Sequence, residues 1–459
     1  MPAFAPVGSD MGHLLARGDP HALAWSPYVE WYQNSLRFPE SPTARFHSAT
    51  YPGREYESFV ADFEAGLAGW DPESWASRFA ATGARYVVLV AKHHDGYCLW
   101  PTKVANPNRA GFHSSRDVVG EIADAVRKYK MRFGVYYSGG LDWTFNDHPI
   151  GSFSDLLVAH PGEAYVAYAE AQVRELIERY RPSVLWNDIS WPARLPRLAR
   201  LLADYYAAVP DGVVNARFMP RSPLWSVARS TLGRQLLDRY AARQAAADRG
   251  IIPPKPPLFD VRTPEYTAFA SVQRTPWECV RGMDHSFGYN RESAGEDFIS
   301  ERELLWSLTD IAAKGGNLLL NVGPRGVDAK IADAQLRRLD WLASYTDEVG
   351  DAIMATRPWV HPAGRGRGVD VRYTARDELV FAFARLALPP PVDESDRDTA
   401  APTNLILHEV HATAASTVTT LDGRRLNAEP AWDGLRIELI APLRFERPTV
   451  LILRNIDAA

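Results

Sequence analysis

Five places in this 459-residue chain put groups capable of catalysis directly after short apolar runs. Lys92-His93-His94-Asp95-Gly96 follows the run that begins at Tyr86, and Tyr137-Ser-Gly-Gly-Leu-Asp142-Trp143 follows the next. Trp186-Asn187-Asp188 ends the third, Arg217 lies just past Asn215, and Thr263-Pro264-Glu265-Tyr266 follows the run at Phe259. Two histidines, an arginine, aromatics and two separated carboxylates suit hydrolysis of a glycosidic bond. That reaction needs one carboxylate ionised as nucleophile and another that keeps its proton at neutral pH. Asp188 and Glu265 fit those parts. They are 77 residues apart, so only the fold can bring them to the ~5–5.5 Å of a retaining enzyme.

Plainer roles stand beside these. Asp188 could cap a following helix, and Glu265 lies in a proline-containing turn where an exposed structural role is equally open. Glu278, next to Trp277, is the reserve candidate for the acid. A metal held by His93 and His94 is disfavoured, because adjacent strand residues face opposite ways. Asp95 and Asp142 read as turn or supporting residues. The 14 Trp, 19 Tyr and 18 Phe offer flat apolar rings for the C–H faces of sugars, although a core would use the same residues.

The elements that must position these groups alternate between apolar runs and amphipathic helices over residues 71–350, the pattern of an α/β fold with a parallel sheet. Asp71-Pro72 marks a helix start, with Trp75 and Phe79 on one face and Gly83 as the stop. Strands are expected at Tyr86-Val-Val-Leu-Val-Ala, Phe133–Tyr137, Val184–Trp186, Val213–Asn215, Leu258–Asp260, Trp277–Tyr289 and Asn317–Asn321. Seven strands with helices between them fit an eight-stranded (β/α) barrel of TIM type, N-terminally truncated by one strand, better than a doubly wound sheet. The expected catalytic domain spans residues 1–350, with a helical, arginine-rich insertion at about 219–257 that ends in Pro253-Pro-Lys-Pro-Pro257. Beyond Pro358, alternating runs between Pro, Gly and Asp turns predict a C-terminal antiparallel β-sandwich over 358–459. Pro389–Pro402 reads as a flexible Pro/Asp-rich loop.

Composition excludes other classes. A net charge of −5 leaves no basic footprint for nucleic acid or an anionic membrane, and there is no 18-residue apolar run. Cys98 and Cys279 cannot make a disulfide framework, and the N-terminus lacks the pattern of a secretory signal. A soluble cytoplasmic protein, with a homo-oligomer left open, is expected.

Taken together, Lys92-His-His-Asp-Gly-Tyr-Cys-Leu-Trp-Pro101, Trp186-Asn-Asp188, Thr263-Pro-Glu-Tyr266, the Trp277-Glu278 to Asn290 block and Lys314-Gly-Gly-Asn-Leu-Leu-Leu-Asn-Val-Gly-Pro324 resemble the motifs of the α-L-fucosidases of glycoside hydrolase family 29, of the bacterial type. The resemblance runs in order over roughly residues 28–350. It implies a catalytic barrel with a β-sandwich, no cofactor, no metal, and a fucosylated oligosaccharide or glycoconjugate as substrate. It implies Asp188 as the nucleophile that forms a fucosyl-enzyme and Glu265 as acid/base, with Glu30, Trp31, His93, His94, Tyr137, Trp186 and Arg217 as sugar contacts. Family members begin with a strand reading roughly FGIFIHWG, which has no counterpart here. The chain is therefore expected to melt lower and turn over more slowly than one extended upstream; comparable values for the two would count against this. Two further readings follow: a non-catalytic fucose-binding protein inactivated by that loss, and a retaining glycosidase for another 6-deoxy or galacto-configured sugar.

Overall fold

The computed structural model describes residues 2–248, 251–366, 368–387 and 403–458; the Pro389–Pro402 loop lies outside the described residues. Four parallel strands lie side by side in chain order: β1 (Tyr86–Lys92), β2 (Arg132–Ser138), β3 (Val184–Asp188) and β4 (Val213–Val214). Helix Pro72–Ala81 precedes β1, and helices Val118–Lys128, Glu163–Tyr180 and Leu195–Ala208 lie between successive strands. The first is capped by the Asp71 carboxylate, with proline in its first turn, as the sequence predicts. The second is capped by Asp117 and buries Val118, Ile122 and Val126. Its apolar face packs with Phe133, Val135 and Leu185 of the strands in one core. Among the described residues no strand precedes Tyr86; residues 2–81 form helices and loops.

β5 (Trp277–Arg281) and β6 (Gly316–Leu320) form a two-stranded sheet. Six barrel strands are thus described where seven were expected. The difference is Leu258–Asp260, which follows Pro256-Pro257 and is not a strand. It still bonds as one in part: the amides of Asp260 and Val261 both donate to the Val214 carbonyl (2.9 and 3.2 Å). The Asp260 carboxylate also accepts from the Val214 amide (2.8 Å), so a side chain stands in for a ladder bond. Farther on, Glu265 makes a parallel bridge to Val280. Residues 258–266 thereby join β4 to β5, and Glu265 sits at that join.

The chain divides into two compact units, Met1–Thr267 with Cys279–Phe298 and Leu319–Leu336, and Ala268–Glu278 with Ile299–Leu318 and Arg337–Ala459. This division cuts elsewhere than the expected 350/358 boundary. Helix Glu301–Ala313 belongs to the second unit, where Arg372 and Arg385 lie over the Trp306 ring at 4.9 and 4.2 Å. The same unit holds the expected β-sandwich. Its larger sheet contains β7 (Arg357–Gly366), β8 (Val369–Arg376), β9 (Leu379–Leu386), β11 (Val410–Thr420) and β14 (Thr449–Ala458); the smaller contains β10 (Asn404–Leu407), β12 (Ala428–Ala431) and β13 (Gly434–Glu438). All pairings are antiparallel, and Val371, Tyr373, Leu407, Ile437 and Leu453 share one core. The insertion is helical as expected, with a short 3-10 helix Pro223–Arg229 and a helix Thr231–Asp248. No helix of the described residues is long and apolar enough to cross a membrane.

One buried ion pair ties the strand ends to the loops above them. Lys92 Nζ, fully buried, donates to Asp142 Oδ2 (2.7 Å) and to the Tyr165 hydroxyl (3.2 Å). Gly96 turns with φ +81° against the same carboxylate, where a Cβ would fall 2.6 Å from Asp142 Oδ1. Lys92→Ala would leave Asp142 buried and unpaired, which is expected to destabilise the fold by about 3–5 kcal/mol. Urea denaturation would read this as a lowered midpoint; an unmoved midpoint would contradict the account.

Candidate active site

Asp188 ends β3, and Arg217 follows β4. Asn187 and Asn215 hold the two segments in register, the Asn187 amide donating to Asn215 Oδ1 and the Asn215 side chain donating to the Asn187 carbonyl (both 2.9 Å). Arg217 Nη1 then lies 2.9 Å from Asp188 Oδ1, and Nη2 lies 2.6 Å from Glu265 Oε1. One guanidinium therefore bridges the two candidate carboxylates, and all three side chains are buried. Its Nε and Nη2 also donate to the Thr263 hydroxyl and carbonyl (3.1 Å each). Asp188 accepts two more hydrogen bonds, from the Tyr136 hydroxyl to Oδ2 (2.7 Å) and from the Ile189 amide to Oδ1 (2.9 Å).

Glu265 is placed differently. Burial raises its pKa, Arg217 opposes the rise, Asp188 adds to it, and the net direction is upward. A buried tyrosine hydroxyl, that of Tyr28, faces it. Glu278, the reserve acid, is buried on β5 but belongs to the other compact unit, whereas Glu265 shares a unit with Asp188.

The backbone turns sharply after each carboxylate. Ile189 and Ser190 have φ of +66° and +114°, and Tyr266 has φ +52°. Such conformations cost a non-glycine residue about 1–3 kcal/mol each and persist only where surrounding contacts hold them.

The remaining expected residues mostly converge. His93 stacks on Tyr136 (5.4 Å, 2°), Tyr136 on Trp186 (5.2 Å, 20°), and Arg217 lies 4.7 Å over Trp186. Trp31 meets His94 edge-on at 5.6 Å, and Trp143, read earlier only as part of a motif, meets both. The Ser138 hydroxyl donates to the Leu141 carbonyl (2.7 Å) and so accepts from His94 Nδ1 (2.6 Å), leaving Nε2 of that ring as an acceptor. Burial lowers the pKa of both histidines, that of His93 to about 4, so both rings are neutral at pH 7.

Two expectations need correction. Tyr137 is not in the site: its hydroxyl donates to Gln172 Oε1 (2.8 Å) on helix Glu163–Tyr180, and Lys92 Nζ lies 4.5 Å over its ring. Strand residues alternate faces, so Tyr136, in register with Trp186, is the tyrosine on the Asp188 side. The parity of Trp186 and Asp188 was the available signal. The opposite-face argument for His93 and His94 also fails, because both lie beyond the end of β1. Their ring centroids are 4.0 Å apart, and with Asp188 they form a cluster whose potential ligand atoms lie within 4.8 Å of one another. What sits against that carboxylate is the Arg217 cation, which already supplies the positive charge a metal would bring.

A buried carboxylate ending a parallel strand of a (β/α) barrel, with a second brought beside it by the irregular run 258–266, is the arrangement expected of a glycoside hydrolase. The chain belongs to the α-L-fucosidase family, whose model matches residues 18–351. The tissue α-L-fucosidase of Rattus norvegicus is 29% identical over 367 residues, covering 78% of this chain and 71% of that protein. An α-L-fucosidase of Branchiostoma floridae is 30% identical over 340 residues, 72% of this chain and 67% of the other. Among solved structures, a Thermotoga maritima α-L-fucosynthase in complex with α-L-Fuc-(1-2)-β-L-Fuc-N3 superposes with a TM-score of 0.80 at 35% identity, covering 99% of this chain and 92% of that one. The Thermotoga maritima α-fucosidase in complex with a mechanism-based inhibitor gives 0.78 at 35% identity with the same coverage.

Glu30 lies buried on the short helix Val29–Trp31, next to Trp31. Its Oε2 accepts from the Gly288 amide (3.0 Å), but burial outweighs that bond and lifts its pKa to about 7. The folded state then keeps the Glu30 proton between pH 4.5 and 7 while the unfolded state releases it. Stability from this group falls as pH rises through that window and levels off above it. Glu30→Gln is expected to gain roughly 3 kcal/mol relative to the parent between pH 4 and pH 8. Unfolding curves at the two pH values give the difference directly, and a difference independent of pH would refute the assignment.

Proposed function

We propose that this protein hydrolyses terminal α-L-fucosyl linkages with retention, through a covalent fucosyl-enzyme. The observation that carries the reading is the single guanidinium of Arg217 shared by Asp188 and Glu265. A fork of that width favours the closer carboxylate spacing, ~5–5.5 Å, over the ~6.5–9.5 Å that leaves room for a water. The names of its relatives support fucose as the sugar.

Asp188 attacks the anomeric carbon while the bond to the leaving oxygen breaks, and Glu265 gives that oxygen its proton. Glu265, now ionised, takes a proton from water as the water oxygen attacks the same carbon and frees Asp188. The raised pKa of Glu265 suits the first step, and the carboxylate left behind suits the second. The neutral rings of His93 and His94, with Glu30, hold ring hydroxyls. Trp31, Trp186 and Tyr136 give the pocket its apolar walls. A fucosylated oligosaccharide or glycoconjugate is the substrate, and no cofactor takes part. Two free, buried cysteines fit a reducing, cytoplasmic setting.

The test is hydrolysis of a chromogenic α-L-fucoside by the parent chain and by Asp188→Ala, with and without azide. The variant is expected to lose roughly 10⁴-fold or more in kcat and to recover with azide, forming β-fucosyl azide. Glu265→Ala is expected to lose about 10²–10⁴-fold on a poor leaving group and far less on an activated one. An inactive parent that still binds fucose saturably would make this a binding protein instead.

A further inference from the structure

The insertion at 219–257 reaches both catalytic carboxylates. At its start, the Trp191 amide donates to the Met219 carbonyl and the Arg221 amide to the Ala193 carbonyl (2.8 Å each), pairing it with the loop after Asp188. At its end, Ile251 pairs antiparallel with Glu265, the Glu265 amide donating to the Ile251 carbonyl (2.8 Å). Between these ends the Trp225 ring packs 4.3 Å from that of His160. His160 caps helix Phe153–Ala159, and its Nε2 hydrogen-bonds the Ser190 hydroxyl. The helix is fastened in turn to Thr231–Asp248. Asp238 accepts from the Ser154 amide and hydroxyl (2.7 and 3.0 Å), and Arg234 pairs with Asp155.

Ser190 and Ile189 hold left-handed φ values that their side chains disfavour, so the turn that aims Asp188 must be held from outside. Asn187 Nδ2 holds the Ser190 carbonyl (2.9 Å); His160 holds its side chain. We propose that the insertion is a clasp that sets the geometry of both carboxylates, and that His160 is a positioning residue acting on Asp188 through Ser190. This rests on the reaction proposed above. His160 touches neither carboxylate. The groups assigned to sugar binding, Glu30, Trp31, His93 and His94, come from other elements. Loosening the clasp should therefore displace the nucleophile without emptying the pocket.

The experiment measures kcat and KM on a chromogenic α-L-fucoside, and L-fucose binding by calorimetry, for the full chain. The variants are His160→Ala, His160→Gln, Ser190→Ala and the His160→Ala/Ser190→Ala double. His160→Ala and Ser190→Ala are each expected to lower kcat about tenfold to a hundredfold, with KM and fucose affinity within about twofold of the parent. His160→Gln, which can still reach Ser190, restores most of the loss. The double variant is no slower than either single, because the two residues act as one unit. Unchanged kcat in folded single variants, multiplying losses in the double, or a rise in KM alone would overturn the clasp while leaving the fucosidase reading intact. Should His160→Ala melt below the assay temperature, Ser190→Ala and Trp225→Ala decide the question by the same split of kcat from KM. A parent without fucosidase activity removes the reaction itself, and the clasp with it.

Discussion

The arrangement depends on one cation placed between two buried carboxylates. Arg217 cannot give up its proton, and burial raises the cost of any charge left uncompensated. One guanidinium against two carboxylates leaves a single negative charge in excess, and the cheapest resolution is one retained proton. The surroundings decide which carboxylate keeps it. Asp188 has donors from Tyr136, the Ile189 amide and Arg217, so negative charge there is spread over three partners. Glu265 has Arg217 and a neighbouring tyrosine hydroxyl, and its pKa is raised. On the proposed reaction, the burial and fewer donors of Glu265 suit the acid, and the three donors on Asp188 suit the nucleophile. If Arg217 were apolar, two adjacent buried carboxylates would face each other with no cation between them, and only the Tyr136 hydroxyl and Ile189 amide would favour charge on Asp188.

The strands exist, for this purpose, to deliver that fork. β3 supplies Asp188, the segment after β4 supplies Arg217, and the irregular run 258–266 supplies Glu265 and the Thr263 contacts that hold the guanidinium plane. Regular strand is not required where side chains replace ladder bonds. The Asn187–Asn215 pair and the Asp260 carboxylate do so around β4, whose regular part is only two residues long. The positive φ values at Ile189, Ser190 and Tyr266 follow from the same demand. A carboxylate that must leave its strand and turn inward needs a bend that no side chain prefers, and the stability of the surrounding core offsets it.

How much of this was legible follows from which interactions are local. Apolar runs with helical spacing between them gave β1 to β3, and Asp-Pro gave the start of helix Pro72–Ala81, because caps and periodicity are written in neighbouring residues. Residue types after apolar runs gave Asp188, Glu265 and Arg217 as candidates and motif resemblance gave their expected roles, but neither gave the bridge between them, which joins residues far apart in the chain. The resemblance named Tyr137 and not Tyr136, since two adjacent tyrosines at a strand end are separable only by parity, and the motif fixes no parity. Three sandwich strands carry little strand signal in the sequence, for different reasons. β7 and β12 carry Pro358, Pro362 and Pro430, which sheets tolerate at their edges, where both strands lie. β11 is largely Ala, Ser and Thr, with little apolar alternation to see.

The pocket also separates two kinds of polarity. The Arg217 cation and its two carboxylates form one centre, with Glu265 inclined to keep its proton, while the groups around them are held neutral by burial: His93, His94 and, below about pH 7, Glu30. That separation has a physical use. A neutral imidazole whose Nδ1 is committed to Ser138 presents a fixed acceptor to a hydroxyl without adding a cation beside the nucleophile. In the proposed reaction a protonated histidine at 3.9 Å from Asp188 Oδ2 would instead pair with that carboxylate and weaken its attack. On the reaction proposed above, desolvation of the histidines helps keep Asp188 reactive, and the rings of Trp31, Trp143 and Tyr136 packed on them serve the chemistry as well as the shape of the site.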